Sequence, residues 1–309
     1  MVYRGVSIED FAVAGGGDVR LADFDPAWKG PSDFRDLSDS RLKKEAKAFL
    51  KDQRKELADI QERLYANDRY SVLCIFQGRD AAGKDGTIKH VLSGVNPQGC
   101  QVFSFKAPSK EELDHNYMWR CWKALPERGR IGIFNRSYYE EVLVVRIHPG
   151  ILAAQRLPGQ AAGEAIWAER FEDINAFERH MTRNGTVIIK FFLNVSREEQ
   201  RQRFMERLED PTKQWKFSSH DLTERGYWDE YTAAADAMLA ETGTPNAPWY
   251  VIPADHKWVM RALVGHIITE RLGALNLARP ELAADERSRL GEALAQLRSE
   301  AGRDGFRLN

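Results

Sequence analysis

Cysteine is scarce in this chain of 309 residues, which contains only Cys74, Cys100 and Cys121. Three is an odd number, and the spacing of these residues matches no metal-binding pattern. Two of them lie in or beside apolar segments, where a reduced and buried thiol is the expected state. The composition therefore excludes a disulfide-stapled secreted domain and a cysteine-based zinc module.

Neither sign of charge is in excess, and long hydrophobic runs are missing. The chain has 45 basic and 46 acidic residues and a formal net charge of −1, so no overall basic character points to nucleic-acid binding. No segment is apolar for long enough to suggest a membrane span, and the N-terminus lacks the apolar core of a signal peptide. We expect a soluble, cytoplasmic protein with neither nucleic acid nor membrane as a partner. Any attraction for a polyanion must then come from local clusters of basic residues.

Length and residue distribution predict one large α/β domain with an extension at each end. Residues 1–40 are rich in Gly, Asp, Ser and Pro, which is typical of an irregular arm. Residues 41–279 contain the strand and helix patterns of the domain. The last part, 280–309, carries three leucines on one helical face, which we expect to dock or to dimerise: Leu290, Leu294 and Leu297.

Strand patterns alternate with helix patterns through the central part, which predicts a parallel sheet with helices on both faces. In such a sheet the ligand lies at the carboxyl ends of the strands. We therefore expect four segments to meet there: the loop at 78–86, Lys106, the segment 135–146 and the start of a helix at 197. The predicted strands are 70–76, 102–105, 131–134, 186–193 and 249–252, and the predicted helices are 42–67, 85–92, 109–124, 164–182, 197–208 and 257–276.

A phosphate-binding signature follows the first predicted strand. Residues 78–84 read Gly-Arg-Asp-Ala-Ala-Gly-Lys, and a helix can begin directly after them. In a Gly-x-x-x-x-Gly-Lys loop the backbone N–H groups and the helix N-terminus converge on a phosphate, and Lys84 supplies a mobile charge. The alternative is a chance glycine-rich turn, which the flanking strand and helix disfavour. We expect the chain to bind phosphoryl groups.

Two acidic residues distinguish this loop from its usual form. Asp85 stands where a Ser or Thr would normally hold magnesium, and Asp80 lies within the loop itself. Two carboxylates beside a phosphate repel it unless a cation lies between them, and Mg²⁺ prefers oxygen ligands. We therefore predict that Asp80 binds the metal, whereas Asp85 is interpreted as an acidic residue favoured by the helix dipole.

The third predicted strand ends in a polar segment. A P-loop enzyme usually places an Asp here to organise the metal, but this chain has Asn135. One of Glu140 and Glu141 could supply the missing carboxylate. Arg136 and Arg146 could offset phosphate charge in the same neighbourhood. The alternative is that the two glutamates form a solvated turn.

A basic helix and the loop that follows it predict a mobile lid at about 197–225. By helical periodicity Arg197 and Arg201 share one face, and Arg203 and Arg207 share another. The alternative is a solvated face with i,i+4 ion pairs. We predict that this lid closes over the transferred phosphoryl group. Its basic residues are Arg201, Arg203, Arg207, Lys213 and Lys216. Two further basic residues are expected to contact an acceptor phosphate at the edge of the second strand: Lys106 and Arg120.

Taken together, these motifs resemble the second family of polyphosphate kinases. The likeness extends over residues 40–275, and the combination is far more specific than any single motif. The Asn-Arg-Ser sequence followed by Glu140 and Glu141 is more similar to family members that phosphorylate both AMP and ADP than to members that act on ADP only. The matching stretches are 78–86, 94–97, 134–140, 190–193, 215–217 and 248–253.

The resemblance implies a thymidylate-kinase-like P-loop fold and reversible transfer of a phosphoryl group between inorganic polyphosphate and AMP or ADP, giving ADP or ATP. It further implies Mg²⁺ as the cofactor, with Mn²⁺ as a substitute, and a homodimer or homotetramer. The residues implied at the reaction centre are Asp80, Lys84, Arg136, Glu141 and Arg146, with Asp80 and Glu141 as metal ligands. The residues implied in phosphate binding are Gly78, Ala81, Ala82, Gly83, Lys84, Asp85, Gly86, Asn135, Arg203 and Arg207.

Two other functions stay open at this point. One is a nucleoside-monophosphate kinase that uses ATP as the donor. The other is a protein that binds nucleotide or polyphosphate without catalysing a reaction.

Overall fold

The computed structural model describes residues 2–15, 17–158 and 165–303, and the chain forms two compact units. The first unit, Met1–Leu277, contains the predicted phosphate loop. The second unit, Ala278–Asn309, contains the helix α12 (Ala284–Arg303). The first forty residues, which the sequence suggests to be an arm, thus belong to the same unit as the loop.

A six-stranded, mostly parallel sheet forms the centre of the first unit, which confirms the predicted α/β class. The strands are β1 (Ala12–Val13), β2 (Ser71–Gln77), β3 (Cys100–Ser104), β4 (Ile131–Asn135), β5 (Thr186–Asn194) and β6 (Trp249–Pro253). Their order across the sheet is β1-β6-β5-β2-β4-β3. Strands β2 to β6 run parallel, whereas β1 pairs antiparallel with β6, with Ala12 opposite Tyr250. Because β2 lies between β5 and β4, the loop that follows it emerges at the middle of the carboxyl edge.

Helices cover both faces of the sheet. In the first unit they are α1 (Asp39–Asn67), α2 (Lys84–Val91), α3 (Lys110–Leu113), α4 (Trp119–Trp122), α5 (Glu140–Ile147), α6 (Pro149–Ala154), α7 (Ala165–Arg183), α8 (Arg197–Glu209), α9 (Ser219–Gly226), α10 (Trp228–Thr242) and α11 (Lys257–Gly273). One hydrophobic core lies under α1, α2 and α11, and a second lies under α5, α7 and α10. The sheet therefore carries a helical layer on each side, as parallel sheets require.

Strand β2 shows how the sequence builds this layering. All seven of its residues are buried. Val72 and Cys74 point into the first core, and Leu73 and Ile75 point into the second, because successive side chains of a strand face opposite sides. A continuous apolar run is what a strand buried on both faces needs.

The N-terminal residues pack against the first core through a few aromatic side chains. Tyr3 is fully buried, and its ring lies 6.3 Å from that of Phe49 in α1. The ring of Phe11 lies 5.2 Å from that of Trp28. These anchors are widely spaced among polar residues, so the composition of the segment conceals them.

Three predicted features differ in the structure. The helix predicted at 109–124 is divided into the short helices α3 and α4. The helix predicted to reach residue 276 ends at Gly273. The sequence patterns do not indicate β1, α5, α6, α9 or α10. For α5 the reason is that the helix is buried on several sides and its four consecutive apolar residues hide the helical period.

In the second unit, α12 exposes its leucines. Leu290, Leu294 and Leu297 are 49–62% exposed and share one helical face. Throughout the described ranges, no helix is both long enough and apolar enough to cross a bilayer.

Candidate active site

The loop between β2 and α2 has the backbone shape that its sequence predicts. Gly78 has a φ of +142°, and a Cβ there would lie 2.8 Å from the carbonyl oxygen of Leu193 in the adjacent strand. Gly83 is the N-cap of α2 with a φ of +108°, and a Cβ there would lie 2.9 Å from Cε of Met260. Only glycine fits both positions. The first N–H groups of α2 lack an intrahelical acceptor, as at any helix start, and can bind a phosphate.

The Lys84 ammonium folds back onto the loop that precedes it. Its Nζ donates to the carbonyl oxygens of Gly78 at 2.7 Å and Arg79 at 3.3 Å. Burial, together with the nearby charge of Arg136, lowers the pKa of Lys84 from 10.5 to about 8. A phosphate oxygen in the loop would offer the ammonium a negative charge in place of these carbonyls and would favour its protonated form.

Arg136 connects the loop to the end of β4. Its guanidinium lies 2.6 Å from Asp80 Oδ1 and 3.1 Å from Glu140 Oε2. The charge of Glu140, assisted by that of Asp80, raises the pKa of Arg136 against the opposing effect of burial. The φ of Arg136 is +64°, a conformation that costs a non-glycine residue about 1–3 kcal/mol and therefore has to be held by its surroundings. The structure thus brings Asp80, Arg136 and Glu140 together.

Asn135 and Asp85 also meet at the end of β4. Asn135 Nδ2 donates to Asp85 Oδ1 at 2.6 Å and lies 3.4 Å from Ser104 Oγ. Strand β4 ends in Asn135 and not in an aspartate, but Asp85 of the first turn of α2 places a carboxylate beside that strand end. Asp85 is therefore both an acidic residue at the start of a helix, as interpreted from the sequence, and the carboxylate next to the end of β4.

A buried network fixes the segment between β4 and α5. Tyr138 and Tyr139 donate their hydroxyls to Glu178 Oε1 at 2.8 and 2.7 Å. Lys190 Nζ donates to Glu178 Oε2 at 2.6 Å and to Tyr139 Oη at 2.8 Å. Burial lowers the pKa of Lys190, and Glu178 opposes that shift. Because Tyr138 and Tyr139 follow Arg136 closely in the chain, this network fixes the backbone that positions the Arg136 side chain.

Arg203 lies beneath the phosphate loop. Its guanidinium donates to the carbonyl oxygens of Ala81 and Ala82, both at 2.9 Å, and to two carbonyl oxygens that follow β6. Its Nε donates to Glu199 at 2.7 Å. Because all three nitrogens are engaged, Arg203 supports the loop backbone. It also lines the loop groove, and its contact with a phosphate stays a prediction.

The other lid cations divide into two groups. Arg207 lies 3.6 Å from Asp221 of α9, and it faces the groove beside the loop, as Lys213 does. Arg201 is exposed and pairs with a glutamate one turn earlier on α8, away from that groove. The prediction for the Lys216 side chain falls outside the part that the structure describes. The predicted lid therefore supplies Arg207 and Lys213 to the site, but not Arg201.

Arg136 lines three adjoining grooves, and the two larger ones are named here the loop groove and the side groove. The loop groove has a volume of about 800 Å³ and lies against the phosphate loop. The side groove has a volume of about 470 Å³ and lies between α3 and α5. Lys106 lines both grooves, and Arg120 orders its backbone by donating to the Lys106 carbonyl oxygen at 2.7 Å. The cations that line the loop groove from outside the phosphate loop are Lys106, Arg136, Arg203, Arg207, Lys213 and Lys257.

Glu141 and Arg146 lie apart from the phosphate loop. Both oxygens of Glu141 are engaged, by Gln155 at 2.8 and 3.0 Å and by Arg170 at 3.0 Å, and burial raises the pKa of Glu141. Glu141 lines the side groove. Arg146 lies over the ring of Trp167, 5.8 Å from its centroid, and lines a different groove. The structure does not bring either residue to Lys84, and their role at the reaction centre stays a prediction.

The carboxylates of the loop fit a shared magnesium site. Within residues 2–15, 17–158 and 165–303, no group of three His, Cys, Asp or Glu side chains could hold a metal alone. Mg²⁺ usually binds one or two carboxylates and completes its shell with phosphate oxygens and water. Asp80 and Asp85 both line the loop groove, and each has an oxygen besides the one bonded to Arg136 or Asn135. These two residues, and not Glu141, are the ones whose position fits the ion.

Three residues of the site were not predicted from the sequence. Lys257 begins α11 at the carboxyl end of β6, and the strand-end rule applied to that strand would have identified it. Gln200 fixes the loop by donating to the Asp80 carbonyl oxygen at 2.9 Å. Asp221 reaches the loop groove from α9, and its pKa is raised by burial and by the charge of Asp80. No local sequence pattern indicates either of the last two.

Comparison with known proteins agrees with this geometry. The family model described as polyphosphate kinase 2 matches residues 40–280, close to the predicted range of 40–275. An ADP-polyphosphate phosphotransferase from Rhodopseudomonas palustris is 51% identical over 250 residues, which cover 81% of this chain and 86% of that protein. An AMP/ADP-polyphosphate phosphotransferase from Meiothermus ruber is 45% identical over 234 residues, covering 75% and 84%.

A solved structure shares the fold over nearly the whole length. The crystal structure of polyphosphate kinase 2 from Arthrobacter aurescens TC1 superposes with a TM-score of 0.81 at 37% identity, covering 93% of this chain and 97% of that one. The resemblance inferred from the motifs is thereby confirmed.

Proposed function

We propose, because this chain belongs to the polyphosphate kinase 2 family, that it transfers phosphoryl groups between inorganic polyphosphate and AMP or ADP. The observation that carries the proposal is the loop groove, where the phosphate loop and Lys84 open onto cations from several other elements. A linear polyphosphate is a flexible polyanion, and such a donor needs a basic groove but no reader of a base. The names of the relatives given above specify ADP for the Rhodopseudomonas palustris protein and AMP or ADP for the Meiothermus ruber protein.

The two grooves suit two different substrates. The loop groove suits the polyphosphate donor, because cations line it. The side groove suits the nucleotide, since it combines apolar residues such as Val145 and Ile151 with Tyr117. With Arg136 at their junction, the transferred group is held between donor and acceptor.

Phosphoryl transfer depends mainly on positioning and on stabilising charge, with little covalent chemistry for the protein. The loop N–H groups and Lys84 hold the oxygens of the transferred group. Arg136 offsets the charge that spreads over those oxygens, and its pairing with Asp80 and Glu140 keeps the guanidinium oriented. Preorganised charges of this kind stabilise a transition state without reorganising during the reaction.

We also propose Mg²⁺ as the cofactor, with Mn²⁺ as a substitute of similar ligand preference. Asp80 would hold the ion, and Asp85 is placed to assist. When bound, the ion neutralises negative charge shared between donor and transferred group. Both carboxylates are supported by their hydrogen bonds to Arg136 and Asn135.

A homodimer or homotetramer in the cytoplasm completes the proposal. The exposed leucine face of α12 supports self-association, and three unpaired cysteines suit a reducing compartment. Light scattering of wild-type protein and of Leu294→Glu would test the assembly, and a monomeric wild type would contradict it.

The activity is tested by incubating the protein with polyphosphate, Mg²⁺ and AMP or ADP in the absence of ATP. The expected result is ADP and ATP from AMP, and ATP from ADP, resolved by chromatography. Lys84→Ala serves as the inactive control. Transfer only from ATP would indicate a nucleoside-monophosphate kinase, and binding without turnover from any donor would indicate a non-catalytic protein. Either result would overturn the proposal.

A further inference from the structure

Three cations continue away from the phosphate loop on the side of α1 and α11. Lys257 lines the loop groove at the start of α11. One turn later, Arg261 Nη2 lies 3.5 Å from the point where a Cβ on Gly86 would stand, so it adjoins the first turn of α2. Arg54 extends the series from α1, which packs along α11.

Two of these cations, Arg54 and Arg261, lack the acidic partners that neighbouring basic residues have. On α1, Arg41 pairs with Glu45 and Arg63 pairs with Asp59. No ion pair joins Arg54 or Arg261 to any residue of the described ranges. Lys257 has one acidic partner within the described ranges, Glu206, whose Oε2 lies 3.8 Å from Lys257 Nζ.

The local environment makes this excess of positive charge unfavourable in the absence of an anion. The Nε atoms of Arg54 and Arg261 are buried and without a hydrogen-bond partner. Burial lowers the pKa of Arg261, and the charges of Arg54 and Arg203 lower it further. Burial, followed by the charge of Arg203, likewise lowers the pKa of Lys257. Buried unpaired donors carry a desolvation cost that a bound anion would relieve.

We propose that Arg54 and Arg261 form a subsite for the distal phosphates of a long polyphosphate chain, reached past Lys257 from the loop groove. The inference rests on the proposed function and specifies the part of the donor that this surface binds. A chain with a charge on every phosphate can contact the loop and the subsite at once, whereas a short donor ends before it. Arginine is suited to such contacts because its planar donors pair with phosphate oxygens. The subsite would therefore select donors by chain length.

The test compares long-chain polyphosphate with tripolyphosphate as ligands of the full-length protein. Calorimetric Kd values and steady-state KM values are measured for wild type, Arg54→Gln, Arg261→Gln and the double variant, at physiological salt. We expect the double variant to weaken long-chain binding by about five- to tenfold and to leave tripolyphosphate binding and kcat within about twofold of wild type. The dependence of long-chain binding on salt should also become shallower, by about one logarithmic unit of slope per cation removed.

Lys55→Gln is the matched control, because it removes the same charge from the adjacent, exposed position of α1, about 100° round the helix. Arg54→Lys keeps the charge and should retain most of the long-chain preference, which separates loss of charge from loss of folding. Equal effects on both ligands, no effect on either, or an equal effect of Lys55→Gln would overturn the subsite. A wild type that uses no polyphosphate would overturn the proposed function and the subsite together. An active wild type whose variants keep its chain-length preference would overturn the subsite alone.

Discussion

The Lys190 ammonium lies 2.6 Å from Glu178 Oε2, and both side chains are buried between β5 and α7. Lys190 also donates to Tyr139 Oη at 2.8 Å and to the Thr242 carbonyl oxygen at 2.7 Å, so each of its three hydrogens has an acceptor. The pair therefore joins β5, α7 and α10 to the start of α5. Because α5 begins next to Arg136, the stability of this part of the core and the geometry of the site depend on the same two charges.

Glu178→Gln should be strongly destabilising, because it leaves the buried Lys190 ammonium without its counter-charge. We expect the free energy of unfolding to fall by about 3–5 kcal/mol, measured by chemical denaturation. We also expect kcat to fall at a temperature where the variant is folded, since the single amide oxygen of Gln can accept from the tyrosines that hold the Arg136 segment or from Lys190, but not from both. The double variant Glu178→Leu with Lys190→Met should recover stability but not kcat. A stable and fully active Glu178→Gln protein would contradict the anchoring role.

Lys84→Ala should lower kcat at least about a hundredfold, the scale for losing one group that stabilises transition-state charge. Lys89→Ala is the matched control, since Lys89 is an exposed lysine of the same helix. Thermal melts of both variants would show that the fold is kept. A folded Lys84→Ala protein with near-normal turnover would refute the assignment of the loop.

The pKa of Lys84 predicts how activity depends on pH. The ammonium is the form that stabilises phosphate charge, and its pKa in the free protein is about 8. kcat/KM, which reports the free protein, should therefore fall as the pH rises through about 8. Bound donor favours the ammonium, so the corresponding fall in kcat should occur at higher pH.

The same shift has a consequence for stability with the opposite sign. The pKa of Lys84 is lower in the folded state than the value of 10.5 expected on unfolding, so between these values the folded state binds fewer protons. The contribution of Lys84 to the free energy of unfolding should therefore rise as the pH rises through that window. Denaturation of wild type and Lys84→Met across this range would measure it.

For the activity, a kcat/KM profile that stays flat above pH 8 would count against the role of the Lys84 ammonium.

Asp80→Asn should change the magnesium dependence of the rate. The substitution keeps the shape of the side chain but removes a charge that Mg²⁺ prefers. We expect about a tenfold or greater rise in the Mg²⁺ concentration needed for half-maximal rate. Asp85→Asn should produce a smaller rise, whereas Asp59→Asn, on the exposed side of α1, should produce none. Identical Mg²⁺ dependence in wild type and Asp80→Asn would exclude the ligand role.

Arg207 and Arg201 form a matched pair for testing the lid. Arg207→Ala should raise KM for polyphosphate several-fold, because the side chain faces the loop groove. Arg201→Ala should have little effect, because solvent screens an exposed ion pair such as Arg201–Glu198 and leaves it a small contribution to stability. Steady-state kinetics with thermal melts would distinguish the two. Equal kinetics for both variants would contradict the contact with polyphosphate and would favour the alternative, in which Arg207 lies on a solvated helix face.

The sequence predicted the β2–loop–α2 unit well because each part has a local cause. The strand is a continuous apolar run, the glycines are required by close approach at Gly78 and Gly83, and the helix starts at the motif lysine. Strand-end placement likewise brought Asn135, Arg136 and Lys106 to one edge of the sheet. These features need no knowledge of which helix packs on which face.

Side-chain direction on the helices could not be predicted in the same way. Arg203 and Arg207 share a helical face by periodicity and both line the loop groove, yet Arg203 donates to the loop backbone whereas Arg207 lies beside Asp221 of α9. Glu141 lies about 100° round α5 from Glu140 and so meets Arg170 and not Arg136. Arg146 lies about 9 Å further along the same helix than Glu140. The apolar run 142–145 hides the helical period, so the sequence does not show that these side chains are spread around and along a helix.

The short strand β1 has a consequence for how the protein behaves outside the active site. Strand β6 is buried along all five residues, and β1 occupies the edge at which its N–H and C=O groups would otherwise be exposed. A free hydrophobic edge of this kind is a template for pairing between molecules. By pairing with β6, Ala12 and Val13 thus protect this edge of the sheet against pairing with other molecules. Their removal would be seen first as lost solubility, while the chemistry of the remaining monomers stayed intact.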